Sequence, residues 1–106
     1  MARLLEEIHS GEILLEDFMK PMGISARQLA ADIDVSPSRI SELVNGQRPI
    51  TADTDLRLCR FFGLSDGWWL RLQADCDTEV AKASLAKTLT KIRPWKEALE
   101  ETADVH

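Results

Sequence analysis

The chain has 106 residues, 44% hydrophobic and 29% charged, with a formal net charge of −5. That length suits one domain with a modest core and a tail, and the short apolar runs exclude a membrane span of about 20 residues. Cys59 and Cys76 have no metal-ligand spacing and are too sparse for a disulfide scaffold, so both read as reduced, partly buried thiols.

No stretch alternates apolar and polar residues long enough for a strand, whereas helical spacing recurs throughout. The N-terminus acquires Glu6 and Glu7 where a signal peptide needs an apolar stretch, which predicts a cytoplasmic protein. Leu4, Leu5 and Ile8 can start a short turn. After His9-Ser10-Gly11, residues 11–19 predict a first helix with Ile13, Leu14 and Phe18 as its core face, ended by Pro21 and Gly23.

Ser25 with Gln28 in capping-box position starts a second helix, from Ala26 to about Ile33, burying Leu29, Ala30 and Ile33. Asp34-Val35 turns the chain. Ser36-Pro37 then starts a third helix sharply, because proline lacks a donor that would be unsatisfied at the first helical position anyway. Ile40, Leu43 and Val44 form its inner face, and Asn45-Gly46 ends it. Thr51 caps a fourth helix, Ala52 to Phe62, closed by Gly63. Ser65 is expected to cap a fifth, residues 66–83, with residues 84–92 continuing in helical composition until Pro94. The last ten residues are short, acidic and weakly apolar, and read as a frayed tail.

Two short helices joined by a tight turn make a helix-turn-helix over residues 25–46. Leu29, Ala30, Val35, Ile40 and Leu43 supply the seam, with Ala30 small where the helices approach most closely. The inner face being occupied, Ser38, Arg39, Ser41, Glu42 and Asn45 point outward. Arg39 is long enough to pair bidentately with a guanine edge, and Glu42 can accept from cytosine or pair with Arg39 when DNA is absent. Arg27 and Gln28 at the start of the second helix, Ser36 and Pro37 at the start of the third, and Gln47 and Arg48 beyond it are candidate backbone contacts.

The net charge of −5 opposes DNA binding by bulk electrostatics. Its distribution qualifies this: residues 1–19 are net −4, residues 20–60 net +1 and residues 61–106 net −2. Affinity would then rest on a few placed arginines. A protein-binding adaptor without DNA affinity is the reading this charge would favour.

Trp69, Leu72, Cys76 and Val80, with Gln73 beside them, form the expected dimer surface, while Trp68 packs back onto helices one and four. His9 and Glu12 stand i, i+3, but no third metal ligand follows, so His9 reads as a cap. Lys82, Lys87, Lys91, Arg93 and Lys96 suit either DNA backbone contacts or a solvated helix. No nucleophile-and-base set, phosphate-cradling loop or metal cluster is legible, so neither enzyme activity, a cofactor nor a small-molecule substrate is expected.

Residues 25–30 (SARQLA) and 35–46 (VSPSRISELVNG) resemble the lambda-repressor-like, Xre-type helix-turn-helix. Three flanking stretches narrow the likeness: residues 9–14 (HSGEIL), 45–58 (NGQRPITADTDLRL) and 61–73 (FFGLSDGWWLRLQ) resemble HigA-family antitoxins of bacterial toxin–antitoxin modules. The resemblance covers about residues 9–83. It implies an all-α bundle of five or six helices with a C-terminal helical extension. Residues 1–95 would form the DNA-binding and dimerisation domain, with dimerisation at about 64–92 and an acidic tail at 96–106.

It also implies a protein that neutralises a basic, HigB/RelE-like mRNA-cleaving toxin and represses its own operon as a homodimer, bound to DNA at the nucleoid. A stand-alone repressor without a toxin is the alternative. Glu6, Glu12 and Glu16 are then candidates to face the toxin. Asp34 departs from the glycine usual in the family's turn, and aspartate tolerates the left-handed conformation better than most residues.

Overall fold

The structure is a computed structural model and describes residues 8–95. The described residues are helical without strands. Six helices follow one another: α1 is a continuous rod of three stretches (Ser10–Ile13, Leu14–Met19, Lys20–Met22), then α2 (Ala26–Ile33), α3 (Pro37–Val44), α4 (Ala52–Phe62), α5 (Trp68–Ser84) and α6 (Ala86–Lys91).

His9 starts α1, its Nδ1 accepting the Glu12 N–H at 3.1 Å, as expected of a cap. The rod does not stop before Pro21. Its middle stretch winds in the wider π register, and the Lys20 N–H reaches back five residues to the Leu15 carbonyl. This loosened turn precedes the position where the proline ring would crowd the carbonyl four residues back, so Pro21 is carried inside the rod. Residues five apart would lie about 140° apart on a regular helix; here Leu14 and Met19 are both buried. Met19 is thus a core residue that 3.6-residue spacing leaves out.

Ser25 caps α2 by accepting the Gln28 N–H at 3.1 Å. Gln28 does not reciprocate; its amide donates to both oxygens of Asp32 at 3.0 Å. Asp34 ends α2 at φ 61°, ψ 52°, the left-handed conformation expected for it. Ser36 caps α3, accepting the Arg39 N–H at 3.2 Å, with Pro37 in the first turn. Leu29, Ala30, Ile33, Ile40 and Leu43 are all buried in the α2–α3 seam and join one core with Leu14, Met19, Ile50, Leu58, Cys59 and Trp69.

Ser65 does not cap α5. The helix starts two residues later, after Gly67 in a left-handed conformation that supplies no capping side chain. The cap arrives from α4. Asp55, 1% exposed, accepts the Gly67 N–H at 2.7 Å through Oδ2, and the Trp69 and Leu70 N–H groups at 2.8 and 3.1 Å through Oδ1. The Cys59 thiol donates to the same Oδ1 at 3.5 Å. A carboxylate at a helix N-terminus satisfies donors that have no partner within the helix and complements its dipole. Ser65 Oγ accepts instead from Arg71 at 3.2 Å.

Trp69 is thereby driven into the core, fully buried, with its ring centroid 4.9 Å from Phe18 and 4.8 Å from Trp68. Trp68 packs edge-on against Phe18 of α1 at 5.7 Å. Gln73, one turn on, clamps the loop after α3. Its Oε1 accepts the Ile50 N–H at 2.7 Å and the Ser10 hydroxyl at 3.3 Å, and its Nε2 donates to the Ile50 carbonyl at 2.9 Å. Ser10 and Gly11 are buried where the start of α1 meets the end of α3, and a Cβ on Gly11 would overlap the Leu43 carbonyl oxygen.

Beyond Ser84 the chain breaks helical geometry at Leu85 and resumes as α6. Val80, Leu85, Leu89, Ile92 and Trp95 are all exposed along this extension, Trp95 by 71%. No helix among the described residues is long and apolar enough to cross a membrane.

Two outcomes test this account. Asp55→Ala should lower unfolding free energy by about 3 kcal/mol, read as a lower urea midpoint with an unchanged slope, because one buried and two part-buried N–H groups lose their acceptor. Gly11→Ala should also destabilise, by about 1–3 kcal/mol, since the methyl meets backbone that cannot rotate away.

Candidate nucleic-acid interface

The short second helix of the helix-turn-helix owes its outward face to its inward one. With Ile40 and Leu43 buried, Ser38 and Ser41 stand exposed and Arg39 and Glu42 half-buried at the rim. Asn45, Gln47 and Arg48 continue this exposed edge past the C-terminus of α3. Arg27 and Gln28 lie exposed on the first turn of α2. Ser36 and Pro37 are also exposed, but the Ser36 hydroxyl oxygen is engaged as the cap of α3.

The charged residues on and just beyond α3 are partnered, though not as the sequence suggests. Glu42 pairs with Arg48, not with Arg39: the Arg48 Nε donates to Glu42 Oε1 at 2.8 Å across the loop. The α-helical end brings Arg48 back beside α3, because the Gln47 N–H bonds the Glu42 carbonyl at 2.8 Å and curls the chain. Arg39 turns to α4, donating through Nη1 to Asp53 Oδ1 at 3.1 Å.

Asp53 and Arg57 are the residues that reading for exposed polar positions misses. Arg57 Nε donates to the same Asp53 oxygen at 2.7 Å, and Arg57 Nη1 donates to the carbonyls of Ile33 and Asp34, each at 2.9 Å. Arg57 therefore satisfies carbonyls at the end of α2, where a cation is favoured. Asp53 and Arg57 stand i, i+4 on α4, a spacing visible in the sequence. The hydrogen bonds from Arg57, then the charge of both guanidiniums, hold the Asp53 carboxyl below its ordinary range.

The expected dimer residues separate into two groups. Trp69 and Cys76 are buried within the chain, and Gln73 is engaged with the backbone of Ile50. Leu72 is half-buried and Val80 exposed. Burial, with the adjacent Asp77 and Asp75, pushes the Cys76 thiol above its ordinary range and keeps it protonated. Of the acidic residues expected to face a toxin, Glu16 is exposed and pairs with Lys20 at 2.7 Å, Glu12 is half-buried in the first turn of α1, and Glu6 lies outside the described residues. Lys82, Lys87, Lys91 and Arg93 are exposed on the extension, and Lys96 lies outside the described residues. Among the described residues no cluster of three or more His, Cys, Asp or Glu side chains could hold a metal ion.

Residues 15–69 match the helix-turn-helix family. Virulence-associated protein I of Dichelobacter nodosus is 55% identical over 75 residues, which are 71% of this chain and 69% of that protein. The structure of Pseudomonas aeruginosa antitoxin HigA with the higBA promoter is 36% identical, with a TM-score of 0.75 over 83% of this chain and 97% of that one. An addiction module antidote protein of the HigA family from Coxiella burnetii is 39% identical over the same shares, also with a TM-score of 0.75. With the helix-turn-helix matched and the fold shared over 83% of its length at 36–39% identity, the chain belongs to the HigA family of helix-turn-helix antitoxins.

Proposed function

We propose that this chain is the antitoxin of a toxin–antitoxin module, which binds a basic, HigB/RelE-like mRNA-cleaving toxin and represses its own operon as a homodimer. The observation that carries the DNA-binding half is the outward face of α3. It presents Ser38, Arg39, Ser41, Glu42 and Asn45 on a helix locked by a buried seam, in a chain similar to an antitoxin solved with its promoter. Arg39 reads a base edge, and Arg27, Gln28, Gln47 and Arg48 meet the phosphate backbone on either side. In that complex Arg48 exchanges its Glu42 partner for DNA, while Arg39 adds a base edge to its bond with Asp53.

Pairing occurs through the α5–α6 extension. Its exposed Val80, Leu85, Leu89, Ile92 and Trp95 give two copies an apolar face to bury, with Leu72 at its inner margin. A two-fold dimer then sets two α3 helices into successive major grooves about 34–36 Å apart, on a near-palindromic site. The acidic start of α1, with Glu12 and Glu16, offers a basic toxin a complementary surface. Co-expression with the product of an adjacent reading frame for a small basic protein, followed by pull-down and growth rescue, tests the toxin half; no such frame, rescue without the pair binding, or no rescue leaves a stand-alone repressor.

Arg39→Ala should cost about 1–3 kcal/mol of discrimination between an operator and a mismatched duplex. Arg48→Ala should weaken binding to both and lower the salt slope by about one. Leu89→Asp should shift sedimentation from dimer toward monomer while leaving the helical circular-dichroism signal of the fold in place; an unchanged dimer places the pairing surface elsewhere.

A further inference from the structure

We propose that Asp53 is a positioning residue that sets sequence discrimination by holding Arg39 in place for its base and by opposing every complex in which Arg39 finds no base. This deepens the reading in which α3 enters the major groove, and rests on it.

The geometry forms one continuous connection. Carbonyls of Ile33 and Asp34 at the turn of the helix-turn-helix accept from Arg57 Nη1; Arg57 Nε donates to Asp53 Oδ1; the same oxygen accepts from Arg39 Nη1. Arg57 is fixed at two carbonyls, so it fixes the carboxylate, and the carboxylate fixes the guanidinium on the recognition helix. The Asp53 side chain is 58% exposed and that of Arg39 31%. Ion pairs this exposed add little to stability. Their consequence lies in orientation, because an arginine already held in one rotamer loses less freedom when it meets a planar edge.

The same carboxylate stands at the rim of the face that DNA would cover. At a matching site, Arg39 presents its remaining N–H groups to a guanine edge while Asp53 keeps its counter-ion. At a wrong site, Arg39 swings to a phosphate and leaves Asp53 close to the backbone with Arg57 as its one remaining partner. Discrimination is a difference between two affinities, and a like-charge penalty confined to wrong complexes widens it. The hydrogen bond from Arg57, with that from Arg39, holds this carboxyl below its ordinary range, so its charge is present at neutral pH.

The test uses the full chain, a duplex selected by the wild-type protein from a random library, and a scrambled duplex of the same composition. Asp53→Asn should tighten binding to the scrambled duplex more than to the selected one, reducing the affinity ratio about ten-fold. Asp53→Glu keeps the charge and moves it, and should reduce the ratio as well. In an Arg39→Ala background, Asp53→Asn should leave the ratio as it is. Equal tightening on both duplexes by Asp53→Asn, or a wild-type ratio for Asp53→Glu, would show bulk charge alone and overturn the proposal. Should Arg39→Ala itself keep the wild-type ratio, the placement of α3 in the groove fails, an outcome distinct from either of these. Thermal melts of each variant separate lost binding from lost fold, and the Asp53→Glu comparison stands even if Asp53→Asn melts early.

Discussion

A single buried carboxylate fixes how the two halves of this fold meet. Asp55 lies on α4, yet it completes α5 by accepting from Gly67, Trp69 and Leu70. A helix that begins on glycine has no side chain of its own to satisfy its first donors, and burying those donors unpaired is costly. Once the carboxylate sets the origin of α5, the rest of that helix follows in register. Trp69 enters the aromatic cluster of Phe18, Phe61, Phe62 and Trp68, Gln73 meets the backbone of Ile50, and the apolar side chains of the extension fall outside the core.

The recognition surface is built on a different economy. Three of its arginines are held by two carboxylates: Arg48 by Glu42, and Arg39 and Arg57 together by Asp53. With Arg27, four arginines stand against two carboxylates, a modest positive excess in a chain of net charge −5. In the proposed role Arg48 changes its partner from carboxylate to nucleic acid while Arg39 stays held by Asp53, so what a correct sequence gains depends on the geometry of each arginine more than on a broad positive potential. The close approach of Gly11 to Leu43 and the clamp by Gln73 steady the far end of α3 against the body of the protein.

Much of this was legible in the sequence where local chemistry decides structure. Ser25, Ser36-Pro37, Thr51 and Gly63 act at helix ends as their side chains and backbone freedom dictate, and the seam of Leu29, Ala30, Ile40 and Leu43 follows from helical spacing. What escaped depends on residues distant in the chain or on departures from regular winding. Pro21 reads as a stop because nothing local announces the π turn before it. Ser65 reads as a cap because the competing carboxylate lies ten residues upstream. Trp69 and Cys76 fit a surface stripe by periodicity, but which side of α5 faces inward is settled by Asp55 and the aromatic cluster. Asp53 reads as one more acidic residue in a first turn until folding brings Arg39 to it.

The depth at which the tryptophans sit has a spectroscopic consequence. Trp69 is enclosed, Trp68 is half-buried against Phe18, and Trp95 stands almost free on the extension. An indole in a rigid apolar surrounding emits toward shorter wavelengths than one in water, so the intrinsic fluorescence of the chain is a sum of separable signals. The red component belongs to Trp95 and follows whatever covers the extension. The blue one belongs to the cluster around Trp69 and follows the integrity of the bundle. With tyrosine absent from the sequence, no other aromatic emission overlaps the pair.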